Sequence, residues 1–186
     1  GYELLKKWGE RTSHGFFAVT SNVDGHWLRT LGENSRQVYE IHGSVRHMQI
    51  MKPSAALAGG FNLCTTLGFD PVWAVQPDRD YGAMTVDTGV DPARITPASP
   101  LPMHPEVNAI IAEARRRNLA ATAAEVEALT NALRARPNVL MFGDPGFDPT
   151  RISTQADDFF DWKENLEGHA NHVCVIEIGA GQNVRT

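Results

Sequence analysis

The 186-residue chain has the composition of an ordinary globular protein, and this excludes several classes. Hydrophobic residues make up 42% and charged residues 21%, which excludes wholesale disorder and a fibrous fold. The net charge of −5 argues against nucleic acid as the main partner, because phosphate binding needs a clustered basic surface. No stretch approaches the roughly 18 apolar residues of a membrane span, so we expect no membrane partner.

Cys64 and Cys174 are the only cysteines. Cys174 lies in an apolar run and is expected to be a core residue, so the pair predicts no disulfide framework and favours a reducing cytoplasm. The first eight residues have a helical pattern without the charged-then-apolar order of a signal peptide, so we expect none. The sequence begins in a helical pattern and stops just after a glycine turn, so we expect it to be incomplete at both ends.

Strand and helix patterns alternate in the first part of the chain. Helical spacing at residues 4–8 is followed by a continuous apolar run at 16–20, typical of a strand buried on both faces. A short helix is predicted over 27–31, ended by Gly32. An alternating strand is predicted over 37–41.

Residues 44–104 are rich in proline and glycine, which favours a small irregular module. Helical periodicity returns over 105–114 and again over 122–133, where Thr122 and Glu125 have the spacing of a capping box. An apolar strand is predicted over 139–142.

The C-terminal part is predicted to be a helix over 153–166 and an apolar strand over 172–178. This order predicts an α/β fold, a parallel sheet with helices on both faces.

Polar residues or glycines follow each predicted strand, where an open parallel sheet binds its ligands. They are Asn22 and Asp24, His42 and Gly43, Gly143 and Asp144, and Gly179 to Gly181. His42 has the residue type of a general base near neutral pH, or of a hydrogen-bonded structural histidine. Asn22 and Asp24 suit a carboxamide or sugar hydroxyls, or they simply form a turn beside Gly25.

The glycines at 179 and 181 let backbone amides approach a phosphate or ribose, although a plain turn has the same pattern. The histidines have no zinc-protease spacing, and we predict no metal site.

Together these segments resemble the sirtuin family of NAD-dependent deacylases. Residues 20–26 (Thr-Ser-Asn-Val-Asp-Gly-His) resemble the family's Thr-Gln-Asn-Ile/Val-Asp-x-Leu-His, and 38–43 (Val-Tyr-Glu-Ile-His-Gly) resemble Val-x-Glu-Leu-His-Gly. Residues 137–144 (Pro-Asn-Val-Leu-Met-Phe-Gly-Asp) resemble Pro-x-Val-Val-x-Phe-Gly-Glu. Residues 175–181 resemble the later strand that ends in Gly-Thr-Ser. The matches cover about 16–43 and 137–186.

The resemblance implies a Rossmann-like NAD-binding domain over residues 1–43 and 137–186, with residues 44–136 as an inserted small module with helices. It also implies an enzyme that uses NAD as co-substrate and removes acyl groups from lysine in a protein or peptide. Asn22 and His42 would be catalytic, His42 as a general base acting through the ribose hydroxyls. Met141, Phe142 and Gly143 would border the acyl-peptide channel. The cofactor-binding residues would be Thr20, Ser21, Asn22, Asp24, Gly179, Ala180 and Gly181.

The chain also departs from the family pattern. Ser21 replaces the usual Gln, and Ala180 and Gly181 replace Thr and Ser. Cys64 stands without a Cys-x-x-Cys pair, so no zinc is expected. The family's first loop, Gly-Ala-Gly-x-Ser followed by Asp-Phe-Arg, is not found, and a missing segment or a second chain would have to supply it.

These departures leave alternatives open. An NAD glycohydrolase or ADP-ribosyltransferase would use the same chemistry without lysine deacylation. A non-catalytic NAD-binding or scaffold protein would keep the fold without turnover, and a nucleotide-binding subunit could be completed by a partner chain.

Overall fold

The computed structural model describes residues 1–51, 63–75, 103–169 and 172–179 as a mixed α/β protein. The chain divides into two compact units, residues 1–44 with 149–186, and residues 45–148. The second unit therefore contains residues 137–148, which the sequence assigned to the NAD-binding domain. The domain assignment itself stays a prediction.

Helices and strands alternate through the described residues. In chain order they are α1 (Tyr2–Gly9), β1 (Ala18–Thr20), α2 (His26–Leu31), β2 (Val38–Glu40), β3 (Gly43–Ile50), α3 (Leu63–Leu67), β4 (Val72–Ala74), α4 (Val107–Arg116), α5 (Ala123–Ala132), β5 (Ala135–Val139) and α6 (Thr150–His169).

The first unit is built on two parallel strands, β1 and β2, in which Ala18 pairs with Val38 and Thr20 with Glu40. Parallel strands need a crossover, and α2 provides it. The predicted strands at 16–20 and 37–41 and the helix between them are thus confirmed, with shorter strands than expected. Among the described residues the parallel sheet has these two strands, and a full Rossmann-like sheet is not shown.

Aromatic side chains attach α6 to the parallel pair. The ring of Phe159 lies 5.3 Å from that of Phe17 and 6.3 Å from that of Tyr39, and Trp162 lies 5.7 Å from Phe17. The Trp162 indole N–H also donates to the carbonyl of His14 at 3.1 Å. The predicted C-terminal helix is confirmed, and one edge-to-face and two tilted aromatic contacts stabilise its position beside the strands.

Helix α1 ends where Phe16 packs against it. A Cβ at Gly9 would overlap with the ring of Phe16, so this position requires glycine. Helix α1 ends at Gly9, and the chain then turns towards β1.

The second unit contains a three-stranded sheet in the order β4-β3-β5, with β3 antiparallel to β4. Helices α3, α4 and α5 supply its hydrophobic core, which includes Leu63, Ile110, Leu129 and Leu133. Helices were predicted at the positions of α4 and α5, and both are confirmed. The capping box is also confirmed, because Thr122 Oγ1 accepts the Glu125 N–H while the Glu125 carboxylate accepts the Thr122 N–H.

Three local predictions are wrong. Residues 44–50 were expected to be irregular but form most of β3, the central strand of its sheet. The strand expected over 139–142 lies earlier, as β5, because pairing with β3 rather than local apolarity selects the strand. Residues 172–178 form no strand, and in the described part of the chain nothing hydrogen-bonds to their backbone.

The helices of the described residues include none that is both long and apolar enough to cross a membrane.

Candidate functional site

The ends of β1 and β2 meet at one edge of the first unit. The Ile41 N–H donates to the Thr20 carbonyl at 3.0 Å, which continues the parallel pairing one residue beyond β2. The residues that follow each strand therefore leave the sheet at the same edge. Asn22, Asp24 and His42 all belong to these two connections.

The first connection is a tight polar turn. Thr20 Oγ1 accepts the Asn22 backbone N–H at 3.1 Å, which fixes the chain immediately after β1. Ser21 is partly buried and Asn22 is exposed. In the described structure the Asn22 carboxamide has no hydrogen-bond partner, so both its donor and its acceptor remain for a ligand.

Asp24 fixes the start of α2. Its Oδ1 accepts the His26 backbone N–H at 2.9 Å and lies 3.5 Å from the His26 Nδ1. Asp24 therefore does stabilise the turn. Its carboxylate is partly exposed, and the second carboxylate oxygen can still accept a hydrogen bond.

His42 lies in the turn between β2 and β3 and is partly buried. Gly43 follows it with φ +79°, a conformation that favours glycine and allows the chain to turn directly after the imidazole. Within the ranges that the structure describes, no group hydrogen-bonds to the ring of His42. The second possibility, a hydrogen-bonded structural histidine, has no support from these contacts.

Glu40 is a buried charge that the sequence reasoning missed. Its carboxylate is paired with the guanidinium of Arg151, and its backbone N–H donates to Gln155 Oε1 at 3.0 Å. Arg151 and Gln155 are four residues apart on α6, so one face of that helix holds the end of β2. The available sequence signal was Glu40 itself, an acidic residue inside a predicted strand. If such a residue is buried, its carboxylate needs a partner.

The predicted cofactor-binding residues at 179–181 are only partly described. Gly179 is exposed, with φ +69°. Ala180 and Gly181 lie outside the described residues. None of the described residues hydrogen-bonds to Gly179.

Met141, Phe142 and Gly143 belong to the second unit, in the connection after β5. The Met141 side chain is 60% exposed and that of Phe142 is 95% exposed. An aromatic side chain this exposed beside two other exposed apolar residues, Leu140 and Met141, is unusual for a loop and is typical of a binding surface.

The sequence reasoning also missed a buried pair of amide side chains that contact the end of this connection. Gln49 Oε1 accepts from Asn138 Nδ2 at 2.9 Å and from the Asp148 N–H at 3.0 Å. Gln49 Nε2 donates to the Gly146 carbonyl at 2.6 Å. Both amide side chains are fully buried, and a buried amide needs hydrogen-bond partners.

Cys64 is buried, and burial together with the charge of Asp148 raises the pKa of its thiol to about 11. It is therefore inert rather than nucleophilic. Cys174, which the sequence placed in a core, is exposed. The described residues contain no cluster of three or more potential metal ligands.

The chain matches no protein-family model, no curated protein and no solved structure in three separate comparisons.

Proposed function

We propose that the chain is a sirtuin-like enzyme that cleaves the nicotinamide–ribose bond of NAD and removes acyl groups from lysine. The observation that carries the proposal is the meeting of the ends of β1 and β2, joined by the Ile41–Thr20 hydrogen bond. It brings the connections with Asn22, Asp24 and His42 to one edge, where parallel α/β sheets bind ligands. The proposal includes a Rossmann-like arrangement around this pair, and a cytoplasmic location.

The side chains at this edge fit NAD chemically. The exposed carboxamide of Asn22 both donates and accepts, which suits the ribose and the nicotinamide amide. Asp24 retains acceptor capacity beyond its bond to the His26 N–H, which suits the N–H groups of the nicotinamide carboxamide. No described residue hydrogen-bonds to the imidazole of His42, so its ring nitrogens can bond to a ribose hydroxyl.

When NAD is bound, it supplies the bond that breaks, between C1′ of the ribose and the nicotinamide nitrogen. Asn22 orients the ribose and Asp24 holds the carboxamide of the leaving nicotinamide. His42 accepts a proton from a ribose hydroxyl, which requires the neutral imidazole. The carbonyl oxygen of the acyl-lysine substrate would attack C1′, and nicotinamide would leave with the electron pair of the broken bond.

The test is release of nicotinamide from NAD, measured by chromatography with and without an acyl-lysine peptide. Release that depends on the peptide is expected, and His42→Ala should lower its rate by about 10²-fold or more, the usual contribution of a general base. His14→Ala, an exposed histidine of the same unit, is the matched control and should keep the rate.

Release without any peptide would indicate a glycohydrolase instead. Failure of the wild-type chain to bind NAD in isothermal titration would contradict both enzymatic functions.

A further inference from the structure

The two edges of the β1–β2 pair differ. On the outer side of β2, the Glu40 N–H donates to Gln155 Oε1 at 3.0 Å, so α6 occupies that edge. On its own outer side, β1 has no neighbouring strand among the described residues. The pair can therefore be extended at β1, and an open edge of this kind is a template for a further strand.

Val19 carries the unpaired backbone groups of this edge. The Ala18 N–H donates to the Gln37 carbonyl at 2.9 Å, and the Thr20 carbonyl accepts the Ile41 N–H at 3.0 Å. Because successive residues of a strand direct their backbone groups to opposite edges, the N–H and carbonyl of Val19 point away from β2. In the part of the chain that the structure describes they have no hydrogen-bond partner, and Val19 is 49% exposed.

The same unit contains an apolar segment of strand length without a neighbour. Residues 172–178 (His-Val-Cys-Val-Ile-Glu-Ile) are all exposed, Val175 by 78%, and no described residue hydrogen-bonds to their backbone. Most of these residues are β-branched, and the segment contains no proline or glycine. Exposed apolar surface of this extent is typical of a site of association.

We infer that residues 172–178 of one copy pair as a β-strand with the open edge of β1 in a second copy. Each chain carries one such segment and one such edge, so two copies satisfy both at once in a reciprocal dimer. Within a single chain the segment and the edge belong to the same unit and yet stay unpaired. Pairing supplies both with backbone hydrogen bonds and removes apolar side chains from water.

The proposed NAD chemistry uses neither Val19 nor this segment, so the dimer forms or fails to form independently of it. The first measurement is the mass of the protein by sedimentation velocity at concentrations from about 1 to 100 µM. The wild type should pass from the mass of one chain to that of two. Val175→Lys places a charge in the pairing segment, outside every helix and strand, and should raise the dimer Kd at least about tenfold.

Val19→Lys should have the same effect from the other side of the contact. Leu4→Lys is the matched control, because Leu4 is an exposed apolar residue of α1 in the same unit. It makes the same change of charge and should leave the dimer Kd unchanged. Circular dichroism checks that the three variants keep the helices of the wild type.

A mixture of the two variants distinguishes this pairing from pairing of the segment with its own copy. The Val19→Lys chain keeps an intact segment and the Val175→Lys chain keeps an intact edge. Their mixture therefore regains one of the two contacts and should associate more tightly than either variant alone. If the segment paired with its own copy, Val19→Lys would dimerise like the wild type.

Amide hydrogen exchange of the wild type locates the contact without any substitution. Protection of Val19 and of residues 173–178 should increase with protein concentration. The exposed thiol of Cys174 should react fast in dilute protein and more slowly as the dimer forms.

Four results would overturn the inference. They are a single-chain mass at every concentration, assembly beyond two chains, a wild-type Kd in Val19→Lys, and full protection of the segment already in dilute protein. The last result would show that the segment pairs with the edge of its own chain.

Discussion

The carboxylate of Glu40, at the end of β2, is paired with the guanidinium of Arg151, in the first turn of α6. The two residues are 111 positions apart in the sequence and belong to the same unit. The Glu40 side chain is almost completely buried, and Arg151 retains slight exposure. This pair, with the bond from the Glu40 N–H to Gln155, holds α6 against the strand that leads into His42.

Arg151→Met should therefore destabilise the first unit strongly. The substitution keeps much of the side-chain volume but removes the cation beside the buried carboxylate, and breaking a buried ion pair from one side costs about 3–5 kcal/mol. The free energy of unfolding, measured with urea and tryptophan fluorescence, is the readout. Lys163→Met breaks an exposed pair with Glu167 on the same helix and should cost less than about 1 kcal/mol. Equal effects of the two substitutions would contradict the structural role of the buried pair.

The two cysteines should differ sharply in reactivity. With a pKa of about 11, roughly a thousandth of the Cys64 thiol is ionised at pH 8, and the side chain is also buried. A thiol reagent should label Cys174 quickly in the native protein and Cys64 only after a denaturant is added. Mass spectrometry of the labelled peptides distinguishes the two sites, and fast native labelling of Cys64 would show that the core around it opens.

Glu113 should make the stability of the second unit depend on acidic pH. Hydrogen bonds from Arg116 and Arg117 lower the pKa of its carboxyl from 4.5 to about 2. A group whose pKa is lower in the folded state stabilises the fold above its unfolded pKa and loses that contribution as pH falls towards the folded value. The difference in melting temperature between wild type and Glu113→Gln should therefore be full above pH 5 and shrink between pH 4.5 and 2.

Salt provides the control for this pH experiment. The carboxylate of Glu113 and its arginine partners lie at the surface, so 1 M salt should reduce the difference at pH 7 as well. A difference that persists unchanged at pH 2 would assign the effect to packing rather than to charge.

Thr122 should contribute measurably to the second unit through its cap on α5. Thr122→Ala removes the acceptor of the Glu125 N–H and is expected to cost about 1 kcal/mol, by urea denaturation. Thr65→Ala, at an exposed position of α3, should change the unfolding free energy by no more than about 0.5 kcal/mol. If the two variants are equally stable, the capping box adds nothing beyond helix propensity.

Helices and their boundaries were largely predictable from the sequence. The periodicity of apolar residues located α4 and α5, and Thr122 with Glu125 located the start of α5. The apolar run before Ser21 and the alternation before His42 located β1 and β2. These features are local, because an amphipathic helix and a capping box depend on residues three or four positions apart. The sequence also identified the polar turns after both strands.

Only the tertiary structure decided which segments pair as strands. It also decided which partners the buried polar groups have. Residues 172–178 are strongly apolar yet remain exposed, while β5 contains Arg136, Pro137 and Asn138 and nevertheless lies beside β3. A strand is stabilised by hydrogen bonds from a neighbour that local composition does not specify. The partners of buried polar groups are likewise distant in the sequence, as with Glu40 and Arg151 or Gln49 and Asn138. A buried polar group needs a partner, and only the fold determines which residue lies close enough to be one.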